Sequence, residues 1–178
     1  MKILIQIPQL IYGGAEKVLV PFTKCLVEHG HEVEVLETYE RGLIREQFDL
    51  RISFSAICSK SYTEKYYASL TDIREEDNLW RKLKKCLKLL FSKAVGYRRF
   101  AEHIAAQHYK KRSYDVAINY LETESPEFLL KHIRAKKYLQ WIHTDVENME
   151  NTTALDKYLP LYRQMSAIFC VADSARES

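Results

Sequence analysis

Two glycines and one histidine are the residues whose types and positions promise chemistry. Gly13 and Gly14 close a short break, residues 9–14 (QLIYGG), between an Ile-rich run and a stretch with helical periodicity. Glycines there let the backbone come close to a ligand, and a helix start presents unpaired N–H groups with partial positive charge. A phosphate or carboxylate fits such a turn; a plain tight strand-to-helix connection is the other reading. The pair lacks the G-x-G-x-x-G spacing of dinucleotide folds. His143 follows the apolar run 136–142 (KKYLQWI). An imidazole at a strand end can donate or accept toward a sugar hydroxyl or a phosphate oxygen, or serve as a satisfied structural residue.

The elements that must hold these residues alternate between strand and helix. Residues 2–8 (KILIQIP) read as a buried strand, and 15–28 as a helix with Val18, Leu19, Phe22, Leu26 and Val27 on one side. Pro21 removes one internal hydrogen bond and kinks that helix. Gly30 stops it, and 32–36 (EVEVL) alternates as a second strand. Strand, turn, helix, strand is a βαβ unit, which packs into a parallel sheet with right-handed crossovers. Further strands are expected at 49–57, with Leu50, Ile52, Phe54 and Ala56 on one face, and at 115–120, 136–142 and 167–172. Residues 42–48 predict a helical turn or two, and 59–78, with Tyr62, Tyr66 and Tyr67, an irregular or partly helical insertion. Residues 79–111 predict two helices or one bent near Gly96, Ser125 and Pro126 open a short helix, and 158–165 form another. Ser174 to Glu177 is a capping-box pattern, so a helix begins where the sequence stops and the chain is expected to be cut from a longer protein.

The fold class expected is therefore α/β, a Rossmann-like doubly wound parallel sheet with flanking helices. Such sheets bind ligands beyond the carboxyl ends of their strands. Those ends carry Tyr12-Gly13-Gly14, Tyr120-Leu121-Glu122, His143-Thr144-Asp145 and Asp173-Ser174.

Composition narrows the classes. At 178 residues the chain is one domain with room for a proper core, and 47% hydrophobic with 29% charged residues is ordinary for a globular protein. A run of 18 apolar residues and a signal-peptide layout are both missing, which predicts a cytoplasmic protein. Cys25, Cys58, Cys86 and Cys170 are widely spaced, which predicts free buried thiols rather than a zinc site or a disulfide framework. The net charge of +3 is too small to argue for nucleic acid. The charge is concentrated instead: residues 81–99 hold Arg81, Lys82, Lys84, Lys85, Lys88, Lys93, Arg98 and Arg99 and no acid. Leu83, Leu87, Leu90 and Ala94 share one helical face there. Either this helix docks on the core with its basic face in solvent, or Lys84, Lys85 and Lys88 meet an anionic membrane or polyanionic substrate. At a membrane each basic residue contributes about 1 kcal/mol.

Residues 11–19 (IYGGAEKVL), 29–33 (HGHEV), 114–118 (YDVAI) and 137–145 (KYLQWIHTD) resemble the N-terminal domain of glycosyltransferase family four. Residues 167–174 are similar to the strand that enters that family's conserved serine. The resemblance spans essentially the whole chain and is weakest between residues 39 and 100. It implies the N-terminal half of a GT-B enzyme, two Rossmann-like domains facing each other across a cleft. The activity implied is retaining transfer of a sugar from a nucleotide-sugar donor to a glycan or lipid-linked acceptor. Cell-surface polysaccharide or glycolipid synthesis is the setting, and the protein is cytoplasmic or peripheral on the inner face of the membrane. The resemblance implies that Gly13 and Gly14 offer backbone N–H groups to the donor diphosphate and that His143 contacts the transferred sugar near its reacting carbon. Tyr12, Glu16, Tyr120, Glu122 and Asp145 lie where other substrate contacts belong. Neither a metal nor a cofactor is implied. The family binds its nucleotide mainly through a second domain with an E-x7-E motif; Glu32 and Glu40 have that spacing but lie on and just after the second strand. These residues are thus expected to be the acceptor-side half, inactive by itself. Two other classes stay open: a nicotinamide-dependent oxidoreductase domain with Glu37 as the ribose-binding acid, and a non-catalytic module that binds anionic membrane or polyanions through 81–99.

Overall fold

A computed structural model describes residues 1–59, 73–144 and 153–171. Six strands, β1 (Lys2–Ile7), β2 (Glu32–Tyr39), β3 (Ser53–Cys58), β4 (Tyr114–Asn119), β5 (Ala135–Ile142) and β6 (Ala167–Cys170), join in one all-parallel sheet of order β3-β2-β1-β4-β5-β6. The helices among the described residues are α1 (Gly14–Glu28), α2 (Leu79–Val95), α3 (Tyr97–Tyr109), α4 (Glu127–His132) and α5 (Thr153–Tyr162), with a 3-10 turn at Arg45–Gln47. From β1 the chain winds outward to β2 and β3, then returns over α2 and α3 to β4 on the other side of β1. The expected doubly wound α/β fold is present, and its switch point lies between β1 and β4.

The alternation of side chains along parallel strands builds two cores. Ile3, Ile5, Ile7, Val33 and Val35 turn to one face, where Leu19 and Val27 of α1 cover them. Leu4 and Leu36 turn to the other, against Ala101 and Tyr109 of α3 and Phe128 and Leu129 of α4. Right-handed crossovers that leave β1 and β4 in opposite directions must put α1 and α4 on opposite faces.

Several boundaries move. Val18 is exposed, because the stripe that α1 buries runs through Leu19, Thr23 and Val27. Pro21 is accommodated inside α1, where the neighbouring Thr23 hydroxyl donates to the Leu19 and Val20 carbonyls. β2 runs on to Tyr39 although Glu37 is charged, since Arg45 pairs with that buried carboxylate. β3 starts only at Ser53: the Asp49 carboxylate takes the Arg51 backbone N–H at 3.0 Å and its guanidinium, closing a turn that leaves Leu50 in solvent. α5 starts and ends earlier than the 158–165 expected. Gly96 (φ +87°) makes the bend between α2 and α3, in a conformation only glycine adopts freely. All four cysteines are free, yet only Cys58 is buried and Cys25 is exposed, which corrects the expectation of uniformly buried thiols. The tyrosine cluster, the Ser174–Glu177 pattern and Asp145 lie outside the described residues.

Candidate active site at the switch point

The carboxyl ends of β1, β4 and β5 converge at the switch point. After β1, Leu10 is buried and the Gly13 N–H donates to the Ile11 carbonyl at 3.0 Å, which turns the chain into α1. The N-cap residue Gly13 makes no side-chain capping hydrogen bond, and the Glu16 carboxylate stands in the first turn beside it. Gly13 itself is extended (φ −114°, ψ 170°), a conformation any residue adopts. The Glu16 carboxylate lies in the space a Cβ would take, so a larger residue at Gly13 would displace that carboxylate. A Cβ on Gly14 would meet nothing. The two glycines therefore differ: Gly13 has the Glu16 carboxylate against it, and Gly14 has open space where a side chain would stand.

At the end of β4, Tyr120 is fully buried, its ring 4.6 Å from that of His143 and 5.2 Å from that of Trp141. Its hydroxyl donates to the Ala15 carbonyl at 3.3 Å and so braces the first turn of α1. Phe22 of α1 completes the aromatic cluster, 4.8 Å from Trp141. Glu122, two residues on, is also buried. It accepts the His143 backbone N–H at 3.0 Å and the Thr144 hydroxyl, which locks the loop after β5 to the loop after β4.

His143 thus sits on a fixed base. Burial pushes its imidazole pKa down; the Glu122 charge, a hydrogen bond to the Tyr120 backbone and the Glu16 charge pull the other way without overcoming it. The ring is neutral at neutral pH. Its Nε2 is buried and has no hydrogen-bond partner among the described residues. A buried polar atom left unpaired costs about 1–3 kcal/mol, which marks this nitrogen, like the Gln6, Thr38 and Asn119 side-chain oxygens, as one that lacks its partner.

The sequence-based assignments sort accordingly. His143 and Gly14 present free groups, Tyr12 is exposed beside them, and Glu16 faces the Tyr120–His143 cluster from α1. Tyr120 and Glu122, expected as substrate contacts, are both buried, with Tyr120 packed on Trp141 and His143 and Glu122 bonded to the loop after β5. Glu37 is buried and paired with Arg45, so it does not present an acid to a ribose. Lys84 is exposed on α2, far along the chain from this site, whereas Lys85 pairs with Glu76 at 2.7 Å. Lys88 is also exposed.

Sequence reasoning missed a row of amides. Gln6, Asn119 and Gln140 are in register across β1, β4 and β5 and are fully buried. Asn119 Nδ2 donates to Gln140 Oε1 at 2.8 Å and to the Glu124 carbonyl at 2.9 Å, while Gln6 Nε2 donates to the Ser125 carbonyl at 3.3 Å. This row shapes the loop that carries Glu122. One lone amide in each of three apolar runs was the available signal. At the same edge, on the α3 face, a groove of about 440 Å³ is lined by Arg98, Arg99, Lys157 and Tyr158. A cavity of about 560 Å³ lies at the opposite, amino edge of the sheet, among Lys2, His31, Arg51 and Arg112. Among the described residues no group of His, Cys, Asp and Glu is arranged to hold a metal ion, and no helix is long and apolar enough to cross a membrane.

No family model matches the chain, and no curated protein matches it either.

Proposed function

We propose that this chain is the acceptor-side domain of a retaining glycosyltransferase that uses a nucleotide-sugar donor. The observation that carries the reading is the unpaired, buried Nε2 of neutral His143, held beside the uncapped start of α1. In this reading the donor diphosphate approaches the first-turn amides at Gly14, where a helix terminus stabilises the negative charge of the leaving group. His143 hydrogen-bonds a hydroxyl of the transferred sugar, and the acceptor attacks from the face the diphosphate leaves. Catalysis rests on positioning and electrostatics. This reading assigns most nucleotide contacts to a second domain, and weak donor binding by these residues is its expected consequence. The sequence motifs around Gly13–Gly14 and Trp141–His143 support the same reading, and the burial of Glu37 counts against a nicotinamide site.

Titration of the isotopically labelled chain with a nucleoside-diphosphate sugar tests it. Millimolar-range shifts confined to the Gly14 and Ala15 amides and the His143 ring are expected, with none from NAD. Sub-micromolar donor binding would sink the two-domain reading, and tight NAD binding or shifts centred elsewhere would sink the transferase reading as a whole.

A further inference from the structure

The amphipathic α2 is the surface that the transferase reading does not use. Asn78 caps it through hydrogen bonds from the Trp80 and Arg81 N–H groups, and it packs on α3 by an edge contact between Phe91 and Phe100, 6.0 Å apart. Lys82, Lys85, Cys86 and Leu89 make up its half-buried side. The apolar stripe is turned away from the protein: Leu83, Leu87 and Leu90 are 51%, 58% and 64% exposed, with Trp80 and Phe91 beside them. On a helical projection these five fall within an arc of about 100°, with Lys84 on its border and Lys93 exposed near the helix end. A monomer in water seldom leaves such a contiguous apolar face bare.

We propose that α2 lies in the interfacial plane of an anionic lipid membrane, with its leucine stripe among the acyl chains and Arg81, Lys84 and Lys93 at the headgroups. Charge decides between occupants. A second copy packed stripe to stripe would bring two helices together that carry basic residues and, from 81 to 99, no acid. A soluble polyanion satisfies the cations and leaves the stripe in water. Only a surface that is anionic outside and apolar within takes both. The arrangement of Trp80, leucines and flanking lysines is the composition of an interfacial helix. The fold aims it usefully: Arg98, at the start of α3 just past α2, pairs at 2.8 Å with Glu124 in the loop after β4, so the α2–α3 junction sits at the carboxyl edge. If the transferase reading holds, docking brings Gly14 and His143 toward a lipid-borne acceptor; membrane binding itself does not depend on that reading.

Flotation of the full chain with vesicles measures it. Partition is expected onto phosphatidylcholine vesicles containing one-third phosphatidylglycerol at low salt, weakening in molar salt, and not onto phosphatidylcholine alone. Binding should blue-shift the Trp80 emission, and Trp80→Phe should remove that shift. The triple reversal Arg81→Glu, Lys84→Glu, Lys93→Glu should cost about a hundredfold or more in partition with an unchanged melting curve. The triple variant Leu83→Ser, Leu87→Ser, Leu90→Ser should lose binding and keep its fold. Failure to bind anionic vesicles at low salt overturns the proposal, as does equal binding to neutral ones. Self-association abolished by the serine variant would mean that a second copy covers the stripe, and heparin binding without vesicle binding would mean a polyanion; either overturns it. Unfolding of the serine variant would assign the stripe to the core and overturn it too.

Discussion

Glu122 accepts the main-chain N–H of His143 at 3.0 Å, across the gap between the loops that end β4 and β5. One buried carboxylate thereby fixes both the position of the imidazole and the charge it senses. Glu122→Gln keeps an acceptor in place and removes the charge that raises the His143 pKa. The ring should then titrate lower than in the wild type, as followed by NMR of its carbon-bound protons, with little change in fold. Glu122→Ala should also release the loop and, in a polypeptide that turns over, cut kcat by about a hundredfold, since a misplaced group costs that much. Unchanged titration in Glu122→Gln would mean that the two groups are not coupled.

The two glycines should behave differently. Gly13→Ala displaces the end of the flexible Glu16 side chain and should destabilise by about 1 kcal/mol or less. Adding Glu16→Ala vacates the space, so the double variant should recover most of that loss in urea melts. Gly14→Ala meets open space in a first helical turn and should leave stability within about 0.5 kcal/mol, while weakening any phosphate at that terminus. Additive Gly13 and Glu16 effects would refute the steric account.

The sheet was legible in the sequence because its strands are apolar runs separated by glycine and polar breaks. Strand order was not legible: crossover handedness fixes the face each helix covers, and the order β3-β2-β1-β4-β5-β6 is seen only in the structure. Which members of the constellation touch a ligand was not legible. Tyr120 and Glu122 stand at a strand end, where ligands bind, and only packing against Trp141, Ala15 and Thr144 turns them inward. Periodicity alone also gave the leucine stripe of α2 no direction. The residues that orient it, Lys82 and Leu89 on the half-buried side, do not belong to the apolar face.

Glu34 should prove the costliest charged residue to remove. Its carboxylate accepts the Tyr114 hydroxyl at 2.7 Å, the Tyr109 and Ser55 hydroxyls at 2.8 Å and the Arg112 guanidinium at 3.2 Å, joining α3 to β2, β3 and β4. Burial alone would raise its pKa, but bonds from Tyr114, Ser55 and Tyr109 and the Arg112 charge together hold it below the usual value of 4.5. Glu34→Ala should cost about 3–5 kcal/mol, because it strands buried partners, and Tyr114→Phe about 1–3 kcal/mol. A lowered carboxyl pKa stabilises fully above 4.5 and loses that contribution as pH falls through the folded value. The difference in stability between wild type and Glu34→Ala should therefore shrink on acidification below pH 4.5.

His143 should leave the opposite kind of mark, in a higher pH window. Its imidazole is buried neutral, with a pKa pushed below 6.5, so between those values the unfolded chain binds a proton that the folded chain refuses. Stability then rises with pH, and the His143 contribution is lost as pH falls from 6.5 through the folded value. His132 shifts in the same direction, and the raised pKa values of buried Glu37 and Glu124 give the reverse slope lower down, so the wild-type curve alone is ambiguous. His143→Phe isolates the effect, since it keeps a ring against Tyr120 and Trp141 and cannot take a proton. Urea melts of both proteins from pH 8 to 5 should show wild-type stability falling relative to the variant below about pH 6.5. A constant difference across that range would mean that the ring titrates equally in both states, and with it would go the neutral imidazole on which the proposed sugar contact depends.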